Sequence, residues 1–456
     1  MNKNKITLSL TAALALGMST NALAAGFQLA EYSATGLGRA FAGEAAMADN
    51  ASAQFRNPAM LTYLEGTQVS VGAIYVDPNV DVKGDLQVND QTIDQTEARN
   101  IAHSAVIPNF YISRQLNDKA TLGLAFGTNF GMRTDLGTDF TASIFGNQAE
   151  VHTVEINPNL GYKINDQFSV GAGVRYVMAK GHFGAALPNK LPNNKTLNAL
   201  SPLYKPFAGQ NLKYMEGEDN AWGWQAGAAW QINPTNRIGV SYHSAVKLNL
   251  TGHAQGAAYA YEDGGIANLL RPGAITKTYA GSLPLELPAS AEIASFHQLN
   301  DKWAVHASIN WTDWSSFDKL ESNIPSLGGK DVIKEENWKD NYRFAIGTTY
   351  QVNNKLTLRS GIAYDTAAVD EAHRTQTIPE TDRTWLSLGA GYQWSKNLTL
   401  DAGLTYVYAK KAHLNETDKN INDLASKLAS KDTKVSFAGT TSGDVWLAGV
   451  QASYRF

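Results

Sequence analysis

From residue 67 onward, apolar side chains recur at every second position in runs of about ten residues, the period-2 signature of β-strands. Phe168, Val170, Ala172, Val174, Tyr176 and Met178 share one face, opposite Ser169, Gly171, Gly173 and Arg175. The last run sets Trp446, Ala448, Val450, Ala452, Tyr454 and Phe456 against Gly449, Gln451, Ser453 and Arg455. Residues 303–311, 342–350, 386–394 and 398–408 repeat the theme. The connections between runs alternate in length. Tight polar turns fall at 117–119, 165–167, 233–236, 300–302, 353–355 and 395–397, and long connections near 77–103, 131–150, 180–219, 252–284, 318–338, 366–382 and 410–443. Six hairpins plus an unpaired first and last strand predict an all-β, 14-stranded antiparallel barrel of the outer-membrane type, with short turns at one end and long loops at the other. Tyr162, Trp303 and Trp394 near the short turns, and Trp311, Trp314, Tyr406 and Tyr408 toward the loops, suit aromatic girdles. A final amphipathic strand ending in Phe456 fits the same architecture.

Composition narrows the class. The chain has 456 residues, 43% hydrophobic and only 18% charged. Its mean hydropathy of -0.27 is too polar for a bundle of membrane helices, and nothing downstream of the start offers 18 consecutive apolar residues. A membrane barrel reconciles these figures, because half of each strand faces lipid and half a polar interior. The absence of Cys excludes disulfides and thiol chemistry, and a pI near 6.2 gives no footprint for nucleic acid. Lys3 and Lys5, an apolar stretch from Ile6 to Met18 and Ala22-Leu23-Ala24 read as a secretory leader over residues 1–24. Its removal takes the formal charge from -4 to -6, since it carries two lysines and no acid.

Residues 25–66 do not alternate. Gly36-Leu37-Gly38-Arg39-Ala40-Phe41-Ala42-Gly43-Glu44 is rich in small residues, and Arg56-Asn57-Pro58-Ala59 follows. A compact segment inside the barrel is expected here, because fourteen strands enclose more space than wall side chains can fill; residues 67–456 then form the barrel. The Pro58 ring pushes Asn57 toward extended geometry and suits either a strained turn or an ordinary one.

The start Ala25-Gly26-Phe27-Gln28-Leu29, the segments at 36–44 and 57–59, Val76-Asp77-Pro78, Thr128-Asn129-Phe130-Gly131, Trp222-Gly223-Trp224, Leu287-Pro288 and Lys339–Arg343 resemble the FadL-type outer-membrane transporters of long-chain fatty acids and other hydrophobic molecules. The resemblance implies a 14-stranded barrel plugged by an N-terminal hatch and a passive route. An external apolar groove captures the ligand, an inner pocket receives it, the hatch moves, and a kink in the third strand at Thr128, Asn129, Phe130 and Gly131 gives a lateral exit. It also places Lys334 at the family's headgroup lysine and Ala185 where the family has an arginine, which puts a two-cation site in doubt.

The loops carry apolar residues that call for a partner. Groove candidates are Phe183, Leu187, Leu200, Leu203, Tyr204, Phe207, Tyr259, Leu269 and Leu270, and cations that could meet a carboxylate are Lys334, Lys205, Lys213 and Arg271. Loops packing on one another to cap the barrel is the alternative. At about 0.8 kcal/mol per methylene, roughly fifteen methylenes in a dry pocket would hold a ligand by on the order of 12 kcal/mol, so release requires the pocket to loosen.

Catalysis finds no support. Gly-x-Ser-x-Gly, His-Glu-x-x-His and phosphate-loop motifs are absent, and the nine His are scattered singly. The expectation is a non-enzymatic monomer of the bacterial outer membrane with no cofactor and no metal, whose partners are hydrophobic small molecules and membrane lipid. A surface adhesin engaging host proteins through the long loops is the alternative function.

Overall fold

In the computed structural model the described residues are 26–192, 204–429 and 432–456; the expected leader lies outside them. Fourteen antiparallel strands form the wall: β1 Thr67–Val88, β2 Ala105–Gln115, β3 in two pieces (Ala120–Gly127 and Gly131–Asp135), β4 Gln148–Lys163, β5 Phe168–Ala186, β6 Asn211–Asn233, β7 in two pieces (Asn236–His243 and Val246–Gln255), β8 in two pieces (Tyr279–Leu287 and Ser290–Gln298), β9 Trp303–Thr312, β10 Asn341–Gln351, β11 Leu356–Asp365, β12 Arg383–Gln393, β13 Leu398–Thr417 and β14 Val435–Arg455. β1 pairs with β14 from Gln68–Arg455 to Val88–Val435 and closes the barrel. No helix among the described residues is long and apolar enough to cross a membrane.

The alternation seen in sequence is the division between outside and lumen. Val450 is 64% exposed on the outer wall while its neighbour Gln451 is buried against the segment inside. The short turns form because a side-chain acceptor replaces missing ladder bonds. Asn117 Oδ1 accepts from the Lys119 and Ala120 amides at 2.9 and 3.0 Å, and Asn165, Asn300 and Asn353 do the same in their turns.

Five of the seven long connections are shorter than the sequence pattern suggests, the one at 366–382 is as expected, and the one after β9 is longer, at 313–340. β1, β5, β6, β13 and β14 run well past the lipid-facing zone, where water outside removes the need for apolar residues on one face and the period-2 signal fades. Trp314 also departs from expectation. It is fully buried beside Phe27 and Trp338 rather than in the outer girdle.

Residues 26–66 fill the short-turn half of the lumen with a four-residue helix (Ala34–Leu37) and 3₁₀ turns at Glu44–Ala46, Ala51–Phe55 and Pro58–Tyr63. Close approach to the wall needs glycine there: a Cβ on Gly171 would lie 2.4 Å from the Ala59 nitrogen, and one on Gly227 2.0 Å from Asn57 Oδ1. Asn57 sits at φ -141°, an ordinary extended value, and its side chain caps the Pro58–Tyr63 turn. Of the two turn readings, the unstrained one describes the molecule.

Candidate ligand cavity and its floor

Above the hatch, β3 to β8 and the loops line a narrow, partly open cavity, with about 920 Å³ of atom-free space when the adjoining open solvent is included. Its wall is largely apolar, including Met132, Phe145, Phe183, Leu250, Leu283 and Leu320. Met132, Phe183, Leu250 and Leu283 come from different wall strands and face inward from the lumen side of their own alternation, while Phe145 and Leu320 come from the loops.

The floor is aromatic. Phe27, the second described residue of the hatch, packs 4.6 Å from Trp314, 5.8 Å from Phe317 and 6.2 Å from both Trp338 and Phe130, centroid to centroid. Gly26 makes this possible, with φ of +61° and no room for a Cβ, which would fall 2.5 Å from Trp314. The floor is tied to the break in β3. The Gly131 amide donates to Phe27 O at 2.8 Å and the Leu29 amide to Asn129 O at 2.7 Å, so the first hatch residues pair with the interruption as a short strand would.

At the break, β3 leaves the ladder over residues 128–130. The Thr153 hydroxyl partners both the amide and the carbonyl of Phe130, at 3.2 and 2.7 Å, replacing backbone bonds that a buried strand must otherwise keep. Asn129 Nδ2 donates to Glu155 Oε2 at 2.9 Å. Glu155 in turn receives Arg175 Nε and Nη2, both at 2.9 Å, and Arg175 Nη1 reaches Ser244 O at 2.9 Å in the β7 interruption. Both members of this bidentate pair are 2% exposed. One consequence is a gap in the wall. The β2–β3 ladder runs only from Phe110–Phe126 to Gln115–Thr121, and beyond it lies the isolated pair Ala102–Thr134. Asn109, at the edge of that gap, is buried with both side-chain amide atoms unpartnered.

The polar end of the cavity lies in the loops. Lys334 Nζ meets Glu416 Oε1 at 2.6 Å, and the other Glu416 oxygen accepts from the Gln376 amide at 2.9 Å. Trp338 Nε1 donates to Glu336 Oε2 at 2.9 Å. Burial pushes the Glu336 carboxyl up to about 7, against the opposing pull of Lys334 and the Trp338 bond. Glu380, which receives the Ala368 amide at 2.9 Å, is likewise pushed up to about 7 by burial, opposed by Arg383 and by bonds from Ala368 and Gly26.

The candidates from sequence separate into groups. Phe183 lines the cavity. Tyr259 is fully buried in a cluster with Met215, Tyr279, Ile324 and Ile333. Leu187, Tyr204, Phe207 and Leu269 are half-buried, Leu270 is exposed, and Leu200 and Leu203 lie outside the described residues. Among the cations only Lys334 lines the cavity. Lys213 pairs with Asp331 at 3.3 Å, and Lys205 and Arg271 are exposed. Thr128, Asn129, Phe130 and Gly131 lie together at the break, and Asn57, Pro58 and Ala59 lie against the wall near Gly171 and Gly227. Trp338, Glu336, Glu416 and the Glu155–Arg175 pair were not singled out in the sequence. Their only local signal is the alternation of Lys334, Glu336 and Trp338 on one face of an extended segment.

Known proteins resemble the chain over its whole length. The family described as outer membrane protein transport protein (OMPP1/FadL/TodX) matches residues 15–456. Outer membrane protein P1 of Haemophilus influenzae is 36% identical over 99% of this chain and 100% of its own length. The long-chain fatty acid transport protein of Escherichia coli O6:H1 is 32% identical over 98% of each. The crystal structure of a Pseudomonas aeruginosa FadL homologue superposes with a TM-score of 0.77 at 24% identity, covering 95% of this chain and 100% of that one, which speaks for the fold. The closed 14-strand barrel, the homologues named as outer membrane proteins and the match across nearly every residue converge, and the chain belongs to the FadL/TodX family of bacterial outer-membrane transport proteins.

Proposed function

We propose that this protein moves long-chain fatty acids or similar hydrophobic molecules passively across the outer membrane. The apolar loops capture the ligand, the cavity above the hatch receives it, displacement of Phe27 opens the floor, and the gap between β2 and β3 releases it sideways into the bilayer. One observation carries this reading. Phe27 closes the cavity and, through the backbone bonds of Phe27 and Leu29, is fastened to the interruption that leaves the wall unladdered. Movement of one short segment would therefore loosen the cavity and clear the gap together. No energy source is needed, since a ligand that gains about 0.8 kcal/mol per methylene in the cavity gains a comparable amount in lipid.

The test uses a chain without native cysteines. Asn109→Cys with Gly127→Cys, positions that would extend the β2–β3 ladder by one pair, can staple the gap. In a host lacking its own transporter, wild-type protein is expected to support uptake of labelled oleate or of the uncharged labelled 1-dodecanol, and failure means uptake of neither. The oxidised double variant is expected to assemble normally and transport nothing until reduced. Failure of the wild type would overturn transport, whereas normal uptake by the stapled barrel would overturn lateral exit.

A further inference from the structure

The cavity's charges point to a ligand class narrower than hydrophobic molecules in general. The basic side chains lining it are Lys334, His182 and His253, and each faces an acid. Lys334 lies 2.6 Å from Glu416, His182 3.7 Å from Glu150 and His253 3.6 Å from Glu216. With Glu336, the lining holds four carboxyl groups against one ammonium. The Lys334–Glu416 pair is the inner one, with Glu416 2% and Lys334 19% exposed. Glu416 is also fixed from its other oxygen by the Gln376 amide, so a ligand cannot easily take its place.

We propose that Glu416 is a specificity-determining residue that neutralises Lys334, so that the cavity accepts amphiphiles with an uncharged polar head and disfavours carboxylates. This rests on the reading of the cavity as the ligand chamber. A carboxylate entering an apolar chamber loses its hydration and needs a cation or several donors in return. The ammonium that could supply this is already bound by Glu416, and no other lysine or arginine among the described residues lines the cavity. A hydroxyl or ester loses far less on entry, and a Glu336 carboxyl oxygen in the cavity lining can accept from a hydroxyl.

The experiment measures displacement of labelled 1-dodecanol from full-length protein in lipid nanodiscs at pH 8, corrected against empty discs, by 1-dodecanol, methyl dodecanoate and dodecanoate. The alcohol and ester are expected to bind the wild type about tenfold or more tighter than the ionised acid, a difference of about 1.4 kcal/mol. Glu416→Gln frees the ammonium and is expected to shift the ratio of dodecanoate to alcohol affinity about tenfold toward dodecanoate. Because that variant leaves a buried lysine without its partner, the double variant Lys334→Met with Glu416→Leu is measured beside it. It should keep the preference for the alcohol over dodecanoate. Dodecanoate binding the wild type as tightly as the alcohol, and weakening in the double variant, would overturn the assignment and leave the transport reading intact. Absence of binding by all three compounds would instead remove the ligand chamber itself.

Discussion

The two halves of the lumen differ in how far polar contacts supplement apolar packing. In the short-turn half, the hatch packs Phe41 near Trp385 and Phe55 near Tyr111, Arg39 pairs with Glu44 at 2.6 Å and Asp49 at 2.7 Å within it, and polar contacts tie it to the wall: Arg343 donates to Ala40 O at 2.9 Å, Gln225 to Gln54 O at 3.1 Å and Asn57 to Ala228 O at 3.2 Å. In the long-loop half, the wall is apolar and its innermost charges are paired off. Hydrogen bonds fix direction and register, and each contributes only about 1 kcal/mol net because water can replace it. Apolar contact scales with area and is indifferent to orientation. A plug that must return to one position suits the first chemistry, and a sliding ligand suits the second. Phe27 stands at the boundary, belonging to the hatch by sequence and to the cavity by contact.

Four measurements would break or sharpen this contrast. The largest effect is expected for Glu155→Ala, which leaves Arg175 buried without its partner and Asn129 without its acceptor. A loss of about 3–5 kcal/mol in unfolding free energy is expected, read from urea unfolding of the reconstituted barrel. A change below 1 kcal/mol would show that the pair is hydrated. Phe27→Ala should cost about 3–5 kcal/mol of floor packing and turn a nearly silent barrel into a conducting one in planar bilayers. Silence in that variant would move the seal elsewhere.

Third comes pH. Glu336 and Glu380 are both held near 7, above their ordinary value of 4.5. Their contribution to stability is thus fully present below about 4.5 and lost as pH rises through about 7. Lys334, Glu416 and His373 act on Glu336, and Arg383 and Arg374 on Glu380. Loops 313–340 and 366–382 should exchange amide hydrogens more slowly at pH 5 than at pH 8, after correction for intrinsic rates, and Glu336→Gln should flatten the change in the first loop. Equal protection at both pH values would show that these carboxyls are solvated. The smallest effect is expected for Asn57→Ala, which removes one helix cap and one wall contact for about 1 kcal/mol. It should raise protease access to the hatch without altering barrel unfolding.

Much of the fold was legible in the chain, and the reason is the membrane. Lipid on one side and hatch or water on the other force strict alternation, so Val450 and Gln451 declare their faces without any tertiary information. Turn chemistry did the same at Asn117, Asn165, Asn300 and Asn353. The pattern failed where that constraint lapses. Strands that extend beyond the lipid lost their alternation, and Trp314, assigned to a girdle by its place near a strand end, is buried because the loop after β9 folds back over the lumen.

The cavity was legible only in outline. Apolar loops announced it, and the resemblance named Lys334, yet the residues that define its floor and its charge lie far apart in the chain. Phe27 meets Trp314 and Trp338, and Lys334 meets Glu416. The sequence by itself determined the strand count, the facing of side chains in the alternating runs and the short turns, because these depend on neighbours one to four residues away. The closure of β1 on β14, the seating of the hatch on wall glycines, the aromatic floor and the neutralised lysine were decided by the tertiary structure. Each of these depends on which distant segments the barrel's curvature brings within a few ångströms.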